Sequence, residues 1–315
     1  MGDAAPSNIV ILGAGIIGQS LAAVFADAGW SVALADPNPA AREAVPTGLE
    51  VQRNAIRTAG LWQGGGGAVQ VLADAGDALS NAAMVLECGP EDLVAKKAIF
   101  RDLLAGTSPD VILATASSAI VMSDILPDAT DQARCLVAHP VNPPAVLRVI
   151  ELVPAPGTRP DITKRSAELF SAAGFQTVML AHEIEGFVMN RLQSAVLRES
   201  YRLVDEGIAN AEGIDKIMRM ALGPRWALSG PFETADLNTA GGIAAHAARM
   251  GPAYKRIGEA RGEAVDWHDD LVNRVTAERR AVCAEADLPK RAAWRAGAVA
   301  QLVKLRDALW LGADV

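Results

Sequence analysis

Cysteine is scarce in this chain: there are three in 315 residues, Cys88, Cys135 and Cys283, far apart and in apolar surroundings. Their odd number and wide spacing exclude a disulfide framework and a zinc-ligand pattern. They read as reduced, buried thiols of a cytoplasmic protein, and no metal is expected. Long apolar runs are also missing. None reaches the length that crosses a bilayer, so no membrane partner is expected. No basic segment with a cleavage site precedes the first apolar run at Asn8. Lys and Arg never cluster, and 37 Asp+Glu outnumber 29 Lys+Arg, which argues against a nucleic-acid partner. There is no internal repeat. What is present is a globular composition, half hydrophobic and 21% charged, in a chain long enough for two cores.

Strand-like and helix-like segments alternate in the first part. Short apolar runs at 8–12, 31–35, 69–72, 84–87 and 111–114 predict strands. Helical spacing at 16–28, 40–58, 90–105 and 123–126 predicts helices between or after them. Further strands are expected at 134–138, 148–153 and 177–180. This rhythm implies an α/β fold with a doubly wound, mostly parallel sheet. The glycines at 64–67 predict a flexible surface loop. After about Glu185 the strand signal ends. Helical spacing returns at 186–206, 214–221, 242–249, 266–286 and 291–309. The expected division is an α/β domain over 1–185 and an all-helical domain over 186–315.

Gly13-Ala-Gly-Ile-Ile-Gly18 follows the first strand and opens the first helix. That setting makes it a dinucleotide-binding turn. Gly13 permits the tight turn, Gly15 lets the backbone approach a pyrophosphate, and Gly18 lets helix and strand pack closely. Ile16 and Ile17 complete the cofactor-binding turn. Asp36 ends the second strand, where a carboxylate takes ribose hydroxyls and repels a 2′-phosphate. NAD is therefore expected rather than NADP.

The chain has only four histidines. His182, His246 and His268 show no partner pattern. His139 lies in His-Pro-Val-Asn-Pro-Pro144, a proline-rich turn between two β-branched runs, with Glu151 on the next run. Such a turn holds an imidazole rigidly at a sheet edge. A carboxylate on one ring nitrogen fixes the tautomer and raises the basicity of the other, which is how a proton-transfer group is made.

Four segments line up: Ala114-Thr-Ala-Ser-Ser118, the His139 turn, Ile-Glu151-Leu-Val-Pro, and Glu185-Gly-Phe-Val-Met-Asn-Arg-Leu-Gln193. The arrangement resembles the L-3-hydroxyacyl-CoA dehydrogenase superfamily, and more closely its lambda-crystallin branch, whose enzymatic member is L-gulonate 3-dehydrogenase. The likeness runs nearly the whole chain, through Arg202-Leu-Val-Asp-Glu-Gly-Ile208 and Gly230-Pro-Phe-Glu-Thr234. The resemblance implies His139 as general base, Glu151 as its partner, and Ser117 and Asn190 as groups that orient the substrate hydroxyl. It places Asp36, Glu91, Lys96 and Asn142 against NAD. It also implies a homodimer through the helical domain, whose Ala-rich amphipathic helices carry more apolar surface than one protomer buries.

Structural roles compete at each position. Ser117 can cap a helix, Glu151 can pair with Arg148, and Asn190 can bridge helices. Asn142 can hold the turn, and Lys96 can be a solvated helix residue. For the substrate, Arg225 offers a fork for a carboxylate and Trp226 a pocket wall or a platform for a cation; Arg225 also suits a helix end or a dimer contact. Acyl-CoA enzymes of the superfamily usually carry Tyr-Pro-Met or similar before Gly-Pro-Phe, where this chain has Arg-Trp-Ala-Leu-Ser. That favours a small free 3-hydroxy acid such as L-gulonate. L-carnitine and a short L-3-hydroxyacyl-CoA are the alternatives, and a non-catalytic NAD(H)-binding crystallin is the reading from another class.

Overall fold

The computed structural model describes residues 8–228, 230–237 and 242–261, with scattered positions between 270 and 308. Contacts divide the chain into two compact units, Met1–Arg191 with Arg295–Leu305, and Leu192–Trp294 with Arg306–Val315.

One eight-stranded sheet organises the first unit. Its strands are β1 (Asn8–Leu12), β2 (Ser31–Ala35), β3 (Val69–Leu72), β4 (Ala82–Glu87), β5 (Ile112–Thr115), β6 (Cys135–Pro140), β7 (Val149–Pro154) and β8 (Gln176–Met179). Across the sheet they run β3-β2-β1-β4-β5-β6-β7-β8. Only β6 and β7 pair antiparallel; the other neighbours are parallel. The chain starts mid-sheet, winds to one edge, then returns and winds to the other. The reversal between β1 and β4 opens a crevice at the carboxyl ends of the strands, where α/β sheets bind ligands.

The helices of this unit are α1 (Ile16–Asp27), α2 (Pro39–Thr58), α3 (Leu93–Gly106), α4 (Met122–Ile125) and α5 (Pro160–Ala172). They cover both faces of the sheet, so the strands are apolar almost throughout. Successive strand residues feed two cores. Ile9, Ile11, Met84, Leu86, Leu136 and Ala138 pack with Phe25, Val45, Ile56 and Phe170 from α1, α2 and α5. Val10, Val85, Leu113 and Val137 pack with Phe100, Leu103, Met122 and Ile125 from α3 and α4.

Three expectations change. α3 starts at Leu93 rather than at Pro90, because Asp92 accepts the Ala95 N–H at 2.8 Å and caps it. α5 had no counterpart in the sequence reading: two of its buried positions are Thr163 and Ser166, which blur its apolar stripe. The glycine loop is pinned rather than flexible. The Asp27 carboxylate accepts the N–H groups of Gln63 and Gly64 at 3.0 and 3.2 Å, and the Asp27 carbonyl accepts that of Gly65 at 2.7 Å. A Cβ on Gly65 would stand 2.2 Å from the Gly29 nitrogen, so only glycine allows this approach.

Cys135 is buried and Cys88 half-buried. Burial pushes both thiols up, that of Cys135 to about 12, so both stay protonated at neutral pH. Cys283 lies outside the described residues.

Beyond β8 the described elements are helical: α6 (Met189–Asp205), α7 (Ala211–Ile217), a π-helical turn at Met218–Leu222, α8 (Gly223–Leu228), α9 (Pro231–Leu237) and α10 (Gly242–Arg261). The single helix expected over 214–221 is thus broken where α7 widens into the π turn. The helices expected at 266–286 and 291–309 lie largely outside the described residues. No described helix is long and apolar enough to cross a membrane.

Candidate active site

The turn between β1 and α1 sits at the reversal of the sheet. Gly13 has φ 109°, and a Cβ there would meet the Cys88 carbonyl at 2.6 Å; one on Gly18 would meet the Gly13 oxygen at 1.9 Å. Over Gly15, by contrast, nothing lies within 4 Å. Gly15 caps α1 without a side chain, so the N–H groups of the first turn, at Ile16, Ile17 and Gly18, have no helical acceptor. At the end of β2, the two Asp36 carboxylate oxygens accept the N–H groups of Ala14 and Asn38, each at 2.8 Å. Open space over a glycine, unbonded N–H groups at a helix end and a carboxylate beside them suit the pyrophosphate and ribose of a dinucleotide.

His139 ends up directly opposite Glu151 through the antiparallel register of β6 and β7. Its Nδ1 lies 2.8 Å from Glu151 Oε2. Both side chains are buried. The strand is interior to the sheet, so the imidazole sits near the carboxyl end of β6 and not at a lateral edge. The other Glu151 oxygen, Oε1, accepts the N–H groups of Val188 and Met189 at 2.8 and 3.0 Å. Burial pushes the Glu151 carboxyl up, and the bonds from His139, Met189 and Val188 more than offset it, so it lies below its ordinary range. An ionised Glu151 keeps a proton on Nδ1 and leaves Nε2 with its lone pair. Arg148 takes no part: it donates to the Ala145 and Ala173 carbonyls at 3.0 Å each.

A second carboxylate, absent from the sequence reading, organises the neighbouring wall. Glu87 ends β4 fully buried and accepts Lys96 Nζ at 2.7 Å, Thr115 Oγ1 at 2.6 Å and the Gly89 N–H at 2.7 Å. Lys96 is therefore not a solvated helix residue: it is 1% exposed, with Glu91 at 3.6 Å as its second carboxylate. Glu91 accepts Ser117 Oγ at 2.6 Å and the N–H groups of Ser118 and Ala119 at 2.9 and 3.0 Å. Burial pushes Glu91 up, and the bonds from Ser117 and Ala119 together with Lys96 bring it below the ordinary carboxylate range. An acid ending a buried strand, nine residues before a lysine on the following helix, is the signal that could have revealed Glu87.

These walls enclose a cavity of about 330 Å³, bordered among others by Ile17, Glu91, Ser118, His139, Asn142 and Asn190. Ser117 stands behind its neighbour: it is buried, and its oxygen accepts the Ile120 N–H at 2.8 Å. Asn190 Nδ2 donates to the Ser118 carbonyl at 2.7 Å. Asn142 precedes a cis peptide to Pro143. Arg225 and Trp226 are exposed on α8, in the second unit.

A doubly wound sheet with a dinucleotide turn at its reversal, next to a carboxylate-backed imidazole, defines a nicotinamide-dependent dehydrogenase. Residues 8–184 match the 3-hydroxyacyl-CoA dehydrogenase, NAD binding domain, and residues 186–281 the 3-hydroxyacyl-CoA dehydrogenase, C-terminal domain. The chain belongs to this family. A lambda-crystallin homolog from Bos taurus is 34% identical over 319 residues, 98% of each chain. The L-carnitine dehydrogenase/betainyl-CoA thioesterase of Rhizobium meliloti (strain 1021) is 33% identical over 280 residues, 87% of this chain and 55% of that protein. Among solved structures, 5-formyl-3-hydroxy-2-methylpyridine 4-carboxylic acid 5-dehydrogenase, an NAD+-dependent dismutase, shares the fold, with TM-score 0.82 at 24% identity over 95% of this chain and 99% of that one. The protein is an NAD-dependent oxidoreductase acting on a CH–OH group of a small molecule.

Proposed function

We propose that this protein oxidises the 3-hydroxyl of a small L-3-hydroxy carboxylic acid in the cytoplasm, with L-gulonate, giving 3-dehydro-L-gulonate, as the favoured substrate. The observation that carries this reading is the 2.8 Å contact between His139 Nδ1 and Glu151 Oε2 beside the cavity. His139 is the general base. Glu151 holds the proton on Nδ1, so that Nε2 takes the hydroxyl proton as the carbon loses hydride. When bound, NAD supplies the hydride acceptor. Asn190 borders the cavity and orients the substrate oxygen as it becomes a carbonyl. Ser117 acts from one layer behind, tied to Glu91. Toward the cofactor, the 13–18 turn takes the pyrophosphate, Asp36 the ribose, and Glu91 and Asn142 the nicotinamide side, with Lys96 holding Glu91 in place.

For the substrate carboxylate we propose Arg225, with Trp226 beside it; the Arg-Trp sequence supports this. A second reading, L-carnitine, is favoured by the similarity to the L-carnitine dehydrogenase of Rhizobium meliloti (strain 1021). There Trp226 stacks on the trimethylammonium group. We further propose that the second unit pairs with that of another copy. Its exposed Met220, Phe232, Tyr254 and Ile257 support a homodimer.

The test is NADH formation by purified protein from L-gulonate, L-carnitine, L-3-hydroxybutyrate and L-3-hydroxybutyryl-CoA, with L-gulonate expected to give the highest kcat/KM. No turnover of any of them overturns the reading. His139→Gln is expected to lower kcat by about 10²–10⁴-fold with NADH binding unchanged. Retained turnover would assign the base elsewhere.

A further inference from the structure

The turn that leads from the sheet into α6 carries backbone in an unusual conformation. Gly186 and Phe187 both lie in the left-handed region, at φ 74° and 49°, and Phe187 is the one described non-glycine residue there. Glycine adopts this conformation freely, whereas phenylalanine does so against the repulsion of its Cβ. A residue held this way is fixed by its surroundings, and such positions gather at functional sites.

The surroundings of Phe187 are the His139–Glu151 pair. Its ring is fully buried, 5.3 Å from the imidazole and tilted by 49°. Immediately after it, the Val188 and Met189 N–H groups converge on Glu151 Oε1, the oxygen that His139 does not use. The left-handed kink aims two successive N–H groups at one atom. A single turn therefore holds both members of the pair, the histidine by a ring and the carboxylate by the backbone.

We propose that Phe187 is a positioning residue for the His139–Glu151 pair. This rests on the reading of His139 as the base. An imidazole bonded through Nδ1 alone can still rock about that bond, and a ring against it removes that freedom and keeps Nε2 aimed at the cavity. Two N–H groups on Oε1 commit that oxygen and leave Oε2 to Nδ1, so the carboxylate cannot exchange its partners. The turn performs no chemistry and touches no substrate; it sets the geometry in which proton transfer occurs.

The experiment compares Phe187→Leu and His139→Gln in the full chain. It measures kcat, KM, NADH binding by fluorescence and the pH dependence of kcat/KM, with whichever hydroxy acid turns over best. Phe187→Leu is expected to lower kcat by about tenfold to a hundredfold. KM and NADH affinity should stay within about twofold, and the acid limb of the pH profile should move, because the base has lost its fixed environment. His139→Gln should lower kcat by about 10²–10⁴-fold. If Phe187→Leu matches the wild type in kcat and acid limb while His139→Gln shows its expected loss, Phe187 is core packing only, and the inference falls while the base assignment stands. If His139→Gln keeps the wild-type kcat, the base assignment fails and the inference with it. Should Phe187→Leu not bind NADH, Phe187→Met, which keeps bulk without a ring, takes its place with the same expectations.

Discussion

Glu151 is the residue on which the site turns, and its ionisation has a sign that can be checked. Its bonds to His139, Val188 and Met189 favour the carboxylate, so its folded value lies below its ordinary 4.5. A carboxyl whose folded value is depressed stabilises the fold above its unfolded value, and the gain is lost as pH falls through the folded one. Glu151→Gln is therefore expected to destabilise the protein at neutral pH, with the deficit shrinking as pH falls below about 4.5. Urea unfolding of both proteins at about pH 7 and about pH 3.5 measures this. A deficit that does not change with pH would show that the bonds do not favour the ionised form.

At the scale of elements, β1, β2 and β3 begin and end where the sequence places them. β1 and β2, covered on both faces, are apolar runs cut off by Gly, Asp and Pro, and β3, at the edge with Gln70 exposed, keeps Val69, Val71 and Leu72. α5 was not legible, since Thr163 and Ser166 occupy its buried side. His139 and Glu151 were legible as a pair only because antiparallel neighbours on short strands face each other. The other half of Glu151's environment was not, since the Val188 and Met189 N–H groups leave no mark in the choice of side chains. Glu87 was hidden by its place in an apolar strand, and its role appears only when β4, α3 and β5 are brought together. The glycine loop misled for a different reason: a run of glycines signals freedom, but here glycine serves close approach to the end of α1. Gly65→Ala is accordingly expected to cost about 1–3 kcal/mol, seen as a lowered Tm. An unchanged Tm would mean that the loop is free to move aside.

Across the whole molecule, the cavity and the residues proposed to hold NAD belong to the first unit. The second unit carries Arg225 and Trp226 and several exposed large apolar side chains on its helices. Apolar surface of this kind marks association. Light scattering at micromolar protein is expected to give the mass of two chains, and the mass of one would overturn the proposed homodimer. Fold class was legible from the alternation of strands and helices. The substrate was not, because the identity of a small acid depends on a few contacts whose geometry no spacing rule encodes.

Asp36 faces two ways. The carboxylate proposed to take the ribose also anchors the Ala14 N–H at the start of the glycine turn. Coenzyme preference and the shape of the phosphate cradle are thus written into the same side chain. An engineer who replaces Asp36 with a small neutral residue to admit a 2′-phosphate also removes the staple that holds the turn. A successful switch to the phosphorylated coenzyme would have to return an acceptor to that N–H, which makes asparagine a better starting point than alanine.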